Sequence, residues 1–444
     1  MVAFVPLIDA DQAEADSPEG SEVRVVKQPD GAYALTRNGE LYEVKGAGYG
    51  VAESSTHDAL ALLAESGGNS IRTWGVDQLE ERIDGQPLLD RAHALGISVS
   101  VGFWVQHARH GFDYGDEASL EQQREKLRAA VLKYKDHPAL LTWGLGNEME
   151  KDFRAEASEE TDVRIWKELN HLAGIIKALD PNHPVMTVID GAPPSKIEAI
   201  YEHYPNLDIL GINSYAGAIS AGERLLDAGW SGPYMLTEYG VSGTWEVPLT
   251  AWGAPIEPDP STKAGESYTS YTIDRDNNPG RNLGSYVFLW GSKQEATFSW
   301  FGMLLPTGEK LPRVDAMAYA WTGSWPENRA PKLLSMESPV AFQQVEGGVR
   351  SHAVVEILDR EGDALRYAWE VRAESSDRKV GGDAEAVPPS YPEAIRKGQG
   401  GARIEFRTPR EPGGYRLFVT AFDDKGGAVV HNLPFFVRDP ANAD

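Results

Sequence analysis

The segment from Leu140 to Glu150 reads Leu-Leu-Thr-Trp-Gly-Leu-Gly-Asn-Glu-Met-Glu, and the segment from Pro233 to Gly240 reads Pro-Tyr-Met-Leu-Thr-Glu-Tyr-Gly. Each begins as an apolar run short enough for a buried strand and then reaches a carboxylate, Glu148 in the first and Glu238 in the second. The two glutamates lie 238 − 148 = 90 residues apart. A fold that brings them together must gather many strand ends at one rim, and a (β/α)8 barrel is such a fold.

The chain between residues 42 and 330 alternates strand-like and helix-like patterns. Strands are predicted at 42–48, 70–75, 98–105, 140–147, 185–189, 207–214, 234–239 and 285–290. Helices are predicted at 56–66, 85–95, 118–135 and 160–179, with two shorter ones near 195–203 and 219–229. This alternation implies parallel strands joined by right-handed crossovers, and eight units imply a closed TIM barrel. The segment 242–284, rich in Pro, Gly, Ser, Asp and Asn, is expected to form a long loop beside the rim.

Two further regions flank the barrel pattern. Residues 1–21 are small and acidic, which is typical of a flexible leader. The predicted barrel domain, 22–330, opens with a β-hairpin that we expect to close the bottom of the barrel. Residues 335–440 carry short alternating strands with Gly and Asp turns and resemble immunoglobulin-like or cadherin-like β-sandwiches. The predicted fold class is α/β, a (β/α)8 TIM barrel followed by a smaller all-β sandwich that either binds carbohydrate or acts as a spacer.

The composition of the 444-residue chain restricts its partners. The 67 Asp and Glu residues exceed the 42 Lys and Arg residues and give a formal charge of −25. This excess of negative charge argues against nucleic acid or an anionic membrane as a partner and fits a neutral ligand. The absence of cysteine excludes disulfides, thiolate metal sites and cysteine nucleophiles. His107 and His110 lack the glutamate of a zincin motif, and Gly46-Ala-Gly-Tyr-Gly50 lacks the third glycine of a dinucleotide fingerprint, so no metal or organic cofactor is expected.

The first residues lack the basic and apolar parts of a signal peptide. We expect a periplasmic or secreted protein whose signal peptide has been removed, with a cytoplasmic protein as the alternative. The oligomeric state stays open.

A carboxylate at the end of a buried strand has little structural use, but paired carboxylates carry acid–base chemistry. Splitting a glycosidic bond requires one carboxyl to protonate the leaving oxygen and another to attack the sugar or activate water. An amide such as Asn147, beside Glu148, would hold the sugar 2-hydroxyl. Each feature also has a structural alternative: a glutamate can support a helix N-terminus, and Arg72 can form a purely structural ion pair.

Several motifs, in chain order, resemble those of the clan A glycoside hydrolases, and of family 2 in particular. Residues 136–148, Asp-His-Pro-Ala-Leu-Leu-Thr-Trp-Gly-Leu-Gly-Asn-Glu, resemble the fourth-strand signature, and Glu238 matches the nucleophile position on strand seven. The other matches are Arg72 in Gly-Asn-Ser-Ile-Arg, the approach to strand five at 180–185, Tyr215 in Gly-Ile-Asn-Ser-Tyr, and Trp290 in Val-Phe-Leu-Trp-Gly. The resemblance implies a retaining enzyme with Glu148 as acid/base, Glu238 as nucleophile contacted by Arg72 and Tyr215, and Trp290 under the sugar. It also implies two carboxyl groups roughly 5–5.5 Å apart.

Aromatic residues at or just after the predicted strand ends are candidates for stacking on sugar rings, or equally for packing at the rim: Tyr49, Trp74, Trp104, His110 and Trp245. We therefore expect hydrolysis of β-glycosidic bonds in a neutral polysaccharide or oligosaccharide. A β-glucan is preferred because few basic residues flank the site. The alternatives are an exo-acting β-glycosidase on another β-linked sugar, a transglycosylase, and a non-catalytic carbohydrate-binding barrel.

Overall fold

The computed structural model describes residues 20–54, 58–150, 163–379 and 381–439. Eight parallel strands, which we number one to eight in chain order, close into a barrel: Val44–Gly48, Ser70–Arg72, Ser98–Phe103, Leu140–Leu145, Val185–Ile189, Ile209–Asn213, Tyr234–Tyr239 and Asn282–Val287. Each strand pairs with the next, and strand eight pairs with strand one. Nearly all residues of these strands are buried, polar ones included, because both faces of a parallel barrel sheet are covered. The predicted TIM barrel is confirmed.

Strand eight differs from its prediction by three residues, because it spans Asn282–Val287 rather than 285–290. Beyond Val287 the backbone N–H groups of Phe288 and Trp290 still donate to the carbonyls of Tyr239 (2.8 Å) on strand seven and Gly48 (3.0 Å) on strand one, whereas the N–H of Leu289 donates to the carbonyl of Phe301 (3.1 Å). The apolar run continues past the end of the strand because Phe288 and Leu289 belong to a second buried cluster with Trp300 and Phe301.

Nine α-helices occur among the described residues: Val51–Ser54, Ala59–Glu65, Leu88–Ala94, Glu117–Tyr134, Val163–Leu179, Pro194–His203, Ala221–Asp227, Pro260–Asn277 and Pro312–Thr322. The six predicted helices are among them, although residues 56–57 of the first prediction and residues 160–162 of the fourth lie outside the described residues. The expectation that 242–284 is only a loop is wrong. Its second half is an 18-residue helix, which Asp259 caps by accepting from the backbone N–H groups of Ser261 and Thr262, with Pro260 in the first turn.

The N-terminal strands Val23–Lys27, Tyr33–Arg37 and Glu40–Leu41 form a small antiparallel sheet across the bottom of the barrel. The N–H of Val23 donates to the carbonyl of Asn182 (2.8 Å), and Ser21 Oγ donates to the carbonyl of Leu140 (2.6 Å). Val23 and Leu35 share one apolar cluster with barrel residues such as Met186. Most of the predicted flexible leader, residues 1–19, lies outside the described residues.

The C-terminal part is a sandwich of two four-stranded sheets, as predicted. One sheet contains, in spatial order, Lys332–Glu337, Arg350–Leu358, Arg403–Arg407 and Ile395–Lys397. The other contains Gln344–Val345, Ala428–Val437, Gly413–Phe422 and Arg366–Ala373. Alternate residues of both sheets point inward and share one core, in which Val355 and Phe406 from the first sheet meet Trp369 and Leu417 from the second.

The sandwich packs directly on the barrel. The apolar part of the contact includes Leu305, Leu311, Phe418, Ala428 and Val430. The polar part is centred on Glu257 of the barrel, which accepts a hydrogen bond from Asn432 Nδ2 of the sandwich (2.7 Å) and pairs with Lys263 (2.7 Å). Arg416 of the sandwich donates to the carbonyl of Pro255 (2.6 Å). Buried polar groups that satisfy one another across the contact give the two domains a defined relative position.

Within the described ranges, no helix is both long enough and apolar enough to span a membrane.

Candidate active site

A cleft of about 610 Å³ opens at the carboxyl ends of the barrel strands, where active sites of this fold lie. It contains Glu148 and Glu238 together. Five other residues predicted from the sequence also line the cleft: Trp74, Trp104, Asn147, Tyr215 and Trp245. The two carboxylates, distant in sequence, therefore share one cavity.

Glu238 lies near the end of strand seven and is 6% exposed. Its Oε1 accepts hydrogen bonds from Arg72 Nη1 (3.0 Å) and Trp74 Nε1 (3.1 Å), and its Oε2 accepts from the hydroxyl of Tyr215 (2.9 Å). Charge-assisted hydrogen bonds of this kind are short and directional. The carboxylate is therefore held in one orientation at the cleft floor.

Glu148 lies three residues beyond the end of strand four and is 8% exposed. Its backbone is left-handed (φ 54°), a conformation that costs a glutamate on the order of 1–3 kcal/mol and that is enriched at functional sites. A hydrogen bond from its N–H to the carbonyl of Val188 (2.9 Å) holds this turn, and Gly146, also left-handed (φ 70°), precedes it. The turn brings the side chain into the cleft, where Asn213 Nδ2 donates to Oε1 (2.9 Å).

Asn147 links the surroundings of the two carboxylates. Its Oδ1 accepts from Arg72 Nη2 (2.7 Å) and from Asn213 Nδ2 (3.1 Å). Thr237 in turn donates to Asn213 Oδ1 (2.8 Å) and fixes the orientation of that amide. With its oxygen engaged twice, Asn147 has its NH2 group to offer a hydroxyl in the cleft.

Two aromatic side chains predicted to bind substrate are not in the cleft. Tyr49 (1% exposed) and Trp290 (0%) belong to the barrel core, and neither is among the described residues that line the cavity. Trp290 Nε1 donates to the carbonyl of Ala59 (2.8 Å). After strand eight ends at Val287, Phe288 and Leu289 line the cleft, whereas Trp290 does not.

His110 occupies a supporting position beside the cleft. Its ring stacks on Trp104, with centroids 6.4 Å apart and an interplanar angle of 13°. Its Nε2 lies 3.1 Å from Asp383 Oδ2, a residue of the sandwich. In the part of the chain that the structure describes, no cluster of three or more His, Cys, Asp or Glu is arranged to hold a metal ion.

Several cleft residues escaped the sequence analysis. Asn213 and Phe288 stood inside the quoted strand-six and strand-eight motifs, so their position at strand ends was an available signal. Glu295 follows strand eight and lines the cleft with Lys293 3.5 Å from its Oε2. Burial raises the pKa of Glu295 above its ordinary value, although the charge of Lys293 opposes this. Residues from the sandwich also reach the cleft, and no sequence pattern indicated them.

The cleft is acidic. Seven acidic and three basic residues occur among its described lining residues: Glu53, Glu148, Asp190, Glu238, Glu246, Glu295 and Asp383, with Arg224, Lys293 and Lys379. The basic groups already have partners: Arg224 donates to Ser214 and Gly217, Lys293 to the carbonyl of Gly382, and Lys379 pairs with Asp377. Burial, reinforced by the negative charge of Glu238, raises the pKa of Tyr215 well above its usual range, so its phenol stays a hydrogen-bond donor.

Comparison with known proteins supports the fold. No protein-family profile matches the chain. A curated β-glucuronidase of Sus scrofa is 29% identical over 154 residues, which are 35% of this chain and 20% of that protein. The chain therefore spans about one fifth of the length of this relative.

Two solved structures of Bacteroides uniformis β-glucuronidase 2 superpose on the chain. The enzyme covalently bound to cyclophellitol-6-carboxylate aziridine gives a TM-score of 0.50 at 13% identity, and a calcium-binding mutant gives 0.53 at 14%. Each superposition covers 94% of this chain and 48% of the other. At such identities the likeness is one of fold alone.

Proposed function

We propose that this chain is a retaining β-glycosidase, with Glu238 as nucleophile and Glu148 as acid/base. One observation carries the proposal: two buried carboxylates from strands four and seven share one cleft but have different surroundings. Three donors, Arg72, Trp74 and Tyr215, orient the carboxylate of Glu238 for attack. An amide donor orients Glu148, whose carboxyl can carry the proton that the leaving oxygen needs.

The reaction proceeds in two displacements. In the first, Glu238 attacks the anomeric carbon, the bond to the leaving oxygen breaks, and Glu148 gives its proton to that oxygen. In the second, Glu148 takes a proton from water, the water oxygen bonds to the anomeric carbon, and the ester to Glu238 is released. Asn147, with its NH2 group directed by Arg72 and Asn213, holds the 2-hydroxyl of the sugar.

The proposed substrate is a neutral β-linked saccharide, with a β-glucan preferred. The support is the excess of acidic groups in the cleft together with the engagement of its three basic groups, because a uronate carboxylate would need an available cation. A second candidate is cleavage of a β-glucuronide, favoured by the alignment with the β-glucuronidase of Sus scrofa. In that case Lys293 or Lys379 would have to exchange its present partner for the substrate.

Initial rates on a panel of substrates test the proposal. The panel contains 4-nitrophenyl β-glucoside, β-galactoside, β-mannoside and β-glucuronide, and the polymers β-1,3-glucan, β-1,4-glucan, mannan and xylan. We expect turnover of neutral members, and loss of turnover by on the order of 10³-fold or more in both Glu238→Gln and Glu148→Gln. Proton NMR of the sugar released first should show the β anomer, since two displacements retain configuration.

Matched substitutions control for folding. Glu246 also lines the cleft, but its carboxylate caps the backbone N–H groups of Ala216 and Gly243, so Glu246→Gln should leave a measurable rate. An α anomer appearing first would contradict the retaining mechanism. Faster cleavage of the β-glucuronide than of every neutral glycoside would replace the neutral substrate with the second candidate. No turnover, with sugar binding intact, would leave a binding barrel, whereas chain-length growth of the products would indicate a transglycosylase.

A further inference from the structure

One loop of the sandwich enters the cleft of the barrel. It follows the strand Arg366–Ala373. We call residues 374–379 and 381–386 of this segment, which the structure describes, the sandwich loop. The residues of this loop that line the same cavity as the two carboxylates are Lys379, Gly381, Gly382, Asp383 and Ala384. The cleft is thus built from both domains.

The sandwich loop is attached to the barrel at two separate points. Asp383 contacts the loop after strand three, with its Oδ2 3.1 Å from His110 Nε2 and its Oδ1 3.6 Å from Arg109 Nη2. Towards the segment after strand eight, the carbonyl of Gly382 accepts from Lys293 Nζ (2.5 Å). Strands one and two lie between these points in the closed barrel, so the loop crosses that sector of the rim.

The conformation of the loop is also fixed by a buried glutamate that contacts the barrel and by two glycines. Glu385 is 2% exposed at its side chain, and its Oε2 accepts from the N–H of Ala296 of the barrel (2.8 Å). Gly381 and Gly382 are both left-handed (φ 68° and 76°), a conformation that favours glycine. A side chain at Gly381 would also approach within 3.0 Å of Arg109 Nη2. These features pre-form the loop, so a ligand does not have to order it.

The root of the loop is joined to the interface between the domains. Glu374, its first residue, receives two hydrogen bonds from Arg416 (2.8 and 2.9 Å). The same Arg416 donates to Asn432, which in turn donates to Glu257 of the barrel. The position of the loop over the cleft is therefore set by the docking of the sandwich.

We propose that the sandwich loop is a wall of the sugar-binding cleft and restricts it to the end of a β-linked chain. This inference rests on the proposed function and assigns the C-terminal sandwich a part in substrate selection. A polymer bound along its middle needs a groove open on both sides, whereas the loop closes the sector above strands one and two. The resulting cavity of about 610 Å³ has the size of sites for small molecules.

The decisive variant replaces residues 378–384 with Gly-Ser-Gly in the full chain. Asp377 Oδ2 accepts from the N–H of Ala386 (2.9 Å), so the two ends of the excised segment lie close together and a short bridge can join them. Glu385 and its contact with Ala296 are retained. A second, milder variant is Asp383→Asn, which keeps the size of the side chain but removes its charge towards His110 and Arg109.

The matched control for Asp383→Asn is Asp424→Asn. Asp424 is also a sandwich aspartate that pairs with an arginine, Arg366 (3.2 Å), but it does not line the cleft. The substrates are 4-nitrophenyl β-glucoside and hexasaccharides of β-1,3- and β-1,4-linked glucose. Products are separated by chromatography at low conversion, and unfolding midpoints are measured for every variant.

The intact chain should release only the terminal sugar from the hexasaccharides. In the loop-replaced variant, KM for the nitrophenyl glucoside should rise at least about 10-fold with kcat within about 3-fold, and internal fragments should appear. Asp383→Asn should raise KM by about 3- to 10-fold, and Asp424→Asn should change neither constant. If the loop-replaced chain does not fold, the KM of Asp383→Asn alone decides whether the loop is a wall of the cleft.

Unchanged KM and unchanged products in folded loop variants would overturn the proposal, as would early internal fragments from the intact chain. Failure of the proposed function is distinguishable, because it would show as no turnover by the intact chain. In that case calorimetric binding of the hexasaccharides decides: weaker binding by the loop variants supports the wall, and equal or absent binding overturns it.

Discussion

Substitution of Glu257 by Gln should weaken the attachment of the sandwich to the barrel. This carboxylate has only 3% of its side chain exposed and accepts hydrogen bonds from Lys263, Thr297, Ser299 and Asn432. Burial alone would raise its pKa, but the charge and hydrogen bond of Lys263, followed by the hydrogen bond from Thr297, outweigh burial and lower the pKa of Glu257 to about 2. The charged form therefore stabilises the folded chain.

The magnitude follows from linkage. A pKa that falls from 4.5 in the unfolded chain to about 2 in the folded chain corresponds to about 3 kcal/mol. Because the folded pKa is the lower one, this contribution is fully present above pH 4.5 and is lost as the pH falls from 4.5 towards 2. Gln removes the charge at every pH and leaves Lys263 (4% exposed) without its anionic partner, for which the cost is about 3–5 kcal/mol.

Urea unfolding at pH 7 and at pH 3, followed by tryptophan fluorescence, measures the effect. Trp252 of the barrel packs against Phe436 of the sandwich (ring centroids 5.9 Å apart) and reports separation of the domains. We expect Glu257→Gln to lower the unfolding free energy at pH 7 by about 3 kcal/mol or more. The difference from the parent should be about 2 kcal/mol smaller at pH 3, where a carboxyl with a folded pKa of about 2 is still mostly ionised. Glu405→Gln, which breaks an exposed pair with Lys397, should have no measurable effect. If Glu257→Gln were as stable as the parent at pH 7, the reasoning would be refuted.

Three further substitutions test the candidate site, the first two on 4-nitrophenyl β-glucoside and the third on a β-glucan hexasaccharide. Tyr215→Phe removes the hydroxyl donor to Glu238 and should lower kcat/KM by about 10- to 100-fold. The loss should be equal from pH 5 to 9, because the raised pKa of Tyr215 keeps its phenol protonated. A loss confined to high pH would contradict this role. Arg72→Lys keeps the positive charge, but a lysine cannot donate to Glu238 and Asn147 at the same time. We therefore expect kcat to fall at least about 100-fold. A change in KM with kcat unaltered would argue against this role of Arg72. Trp245→Ala removes a 64% exposed ring from the cleft rim. It should raise KM for a β-glucan hexasaccharide by about 3- to 10-fold and leave the unfolding midpoint unchanged. A lowered unfolding midpoint would indicate that the ring packs against the protein instead of binding sugar.

The candidate site was predictable where a residue's role follows from its position on a strand. A parallel barrel gathers all carboxyl ends of its strands at one rim, so the pattern that located strands four and seven also predicted that Glu148 and Glu238 would meet. Tyr49 and Trp290 were mispredicted for a related reason. A position at a strand end does not by itself decide whether a side chain faces the cleft or the core. The backbone N–H groups of Tyr49 and Trp290 still donate to the neighbouring strands, at Arg72 (2.9 Å) and Gly48 (3.0 Å), yet both rings pack into the core.

The helix Pro260–Asn277 was missed because its polar composition hides any apolar face. Its start was nevertheless encoded, since Asp259-Pro260 followed by Ser and Thr is a strong N-terminal pattern. Asn213 and Glu295 show the opposite case, because their importance depends on which side chains face them across the cleft.

By itself, the sequence determined the features that arise from short-range periodicity: the eight strands and their polar ends, the bottom hairpin, the sandwich, and the two carboxylates at strand ends. The motif resemblance, not periodicity, indicated that Arg72 and Tyr215 lie around Glu238. Only the tertiary structure decided that the sandwich loop lines the cleft and that Glu257 joins the two domains. Those contacts connect residues far apart in the chain, such as His110 and Asp383 at a separation of 273 residues. Local hydrophobic patterns report burial within one element, whereas contacts at this distance depend on how whole domains dock, which no single segment encodes.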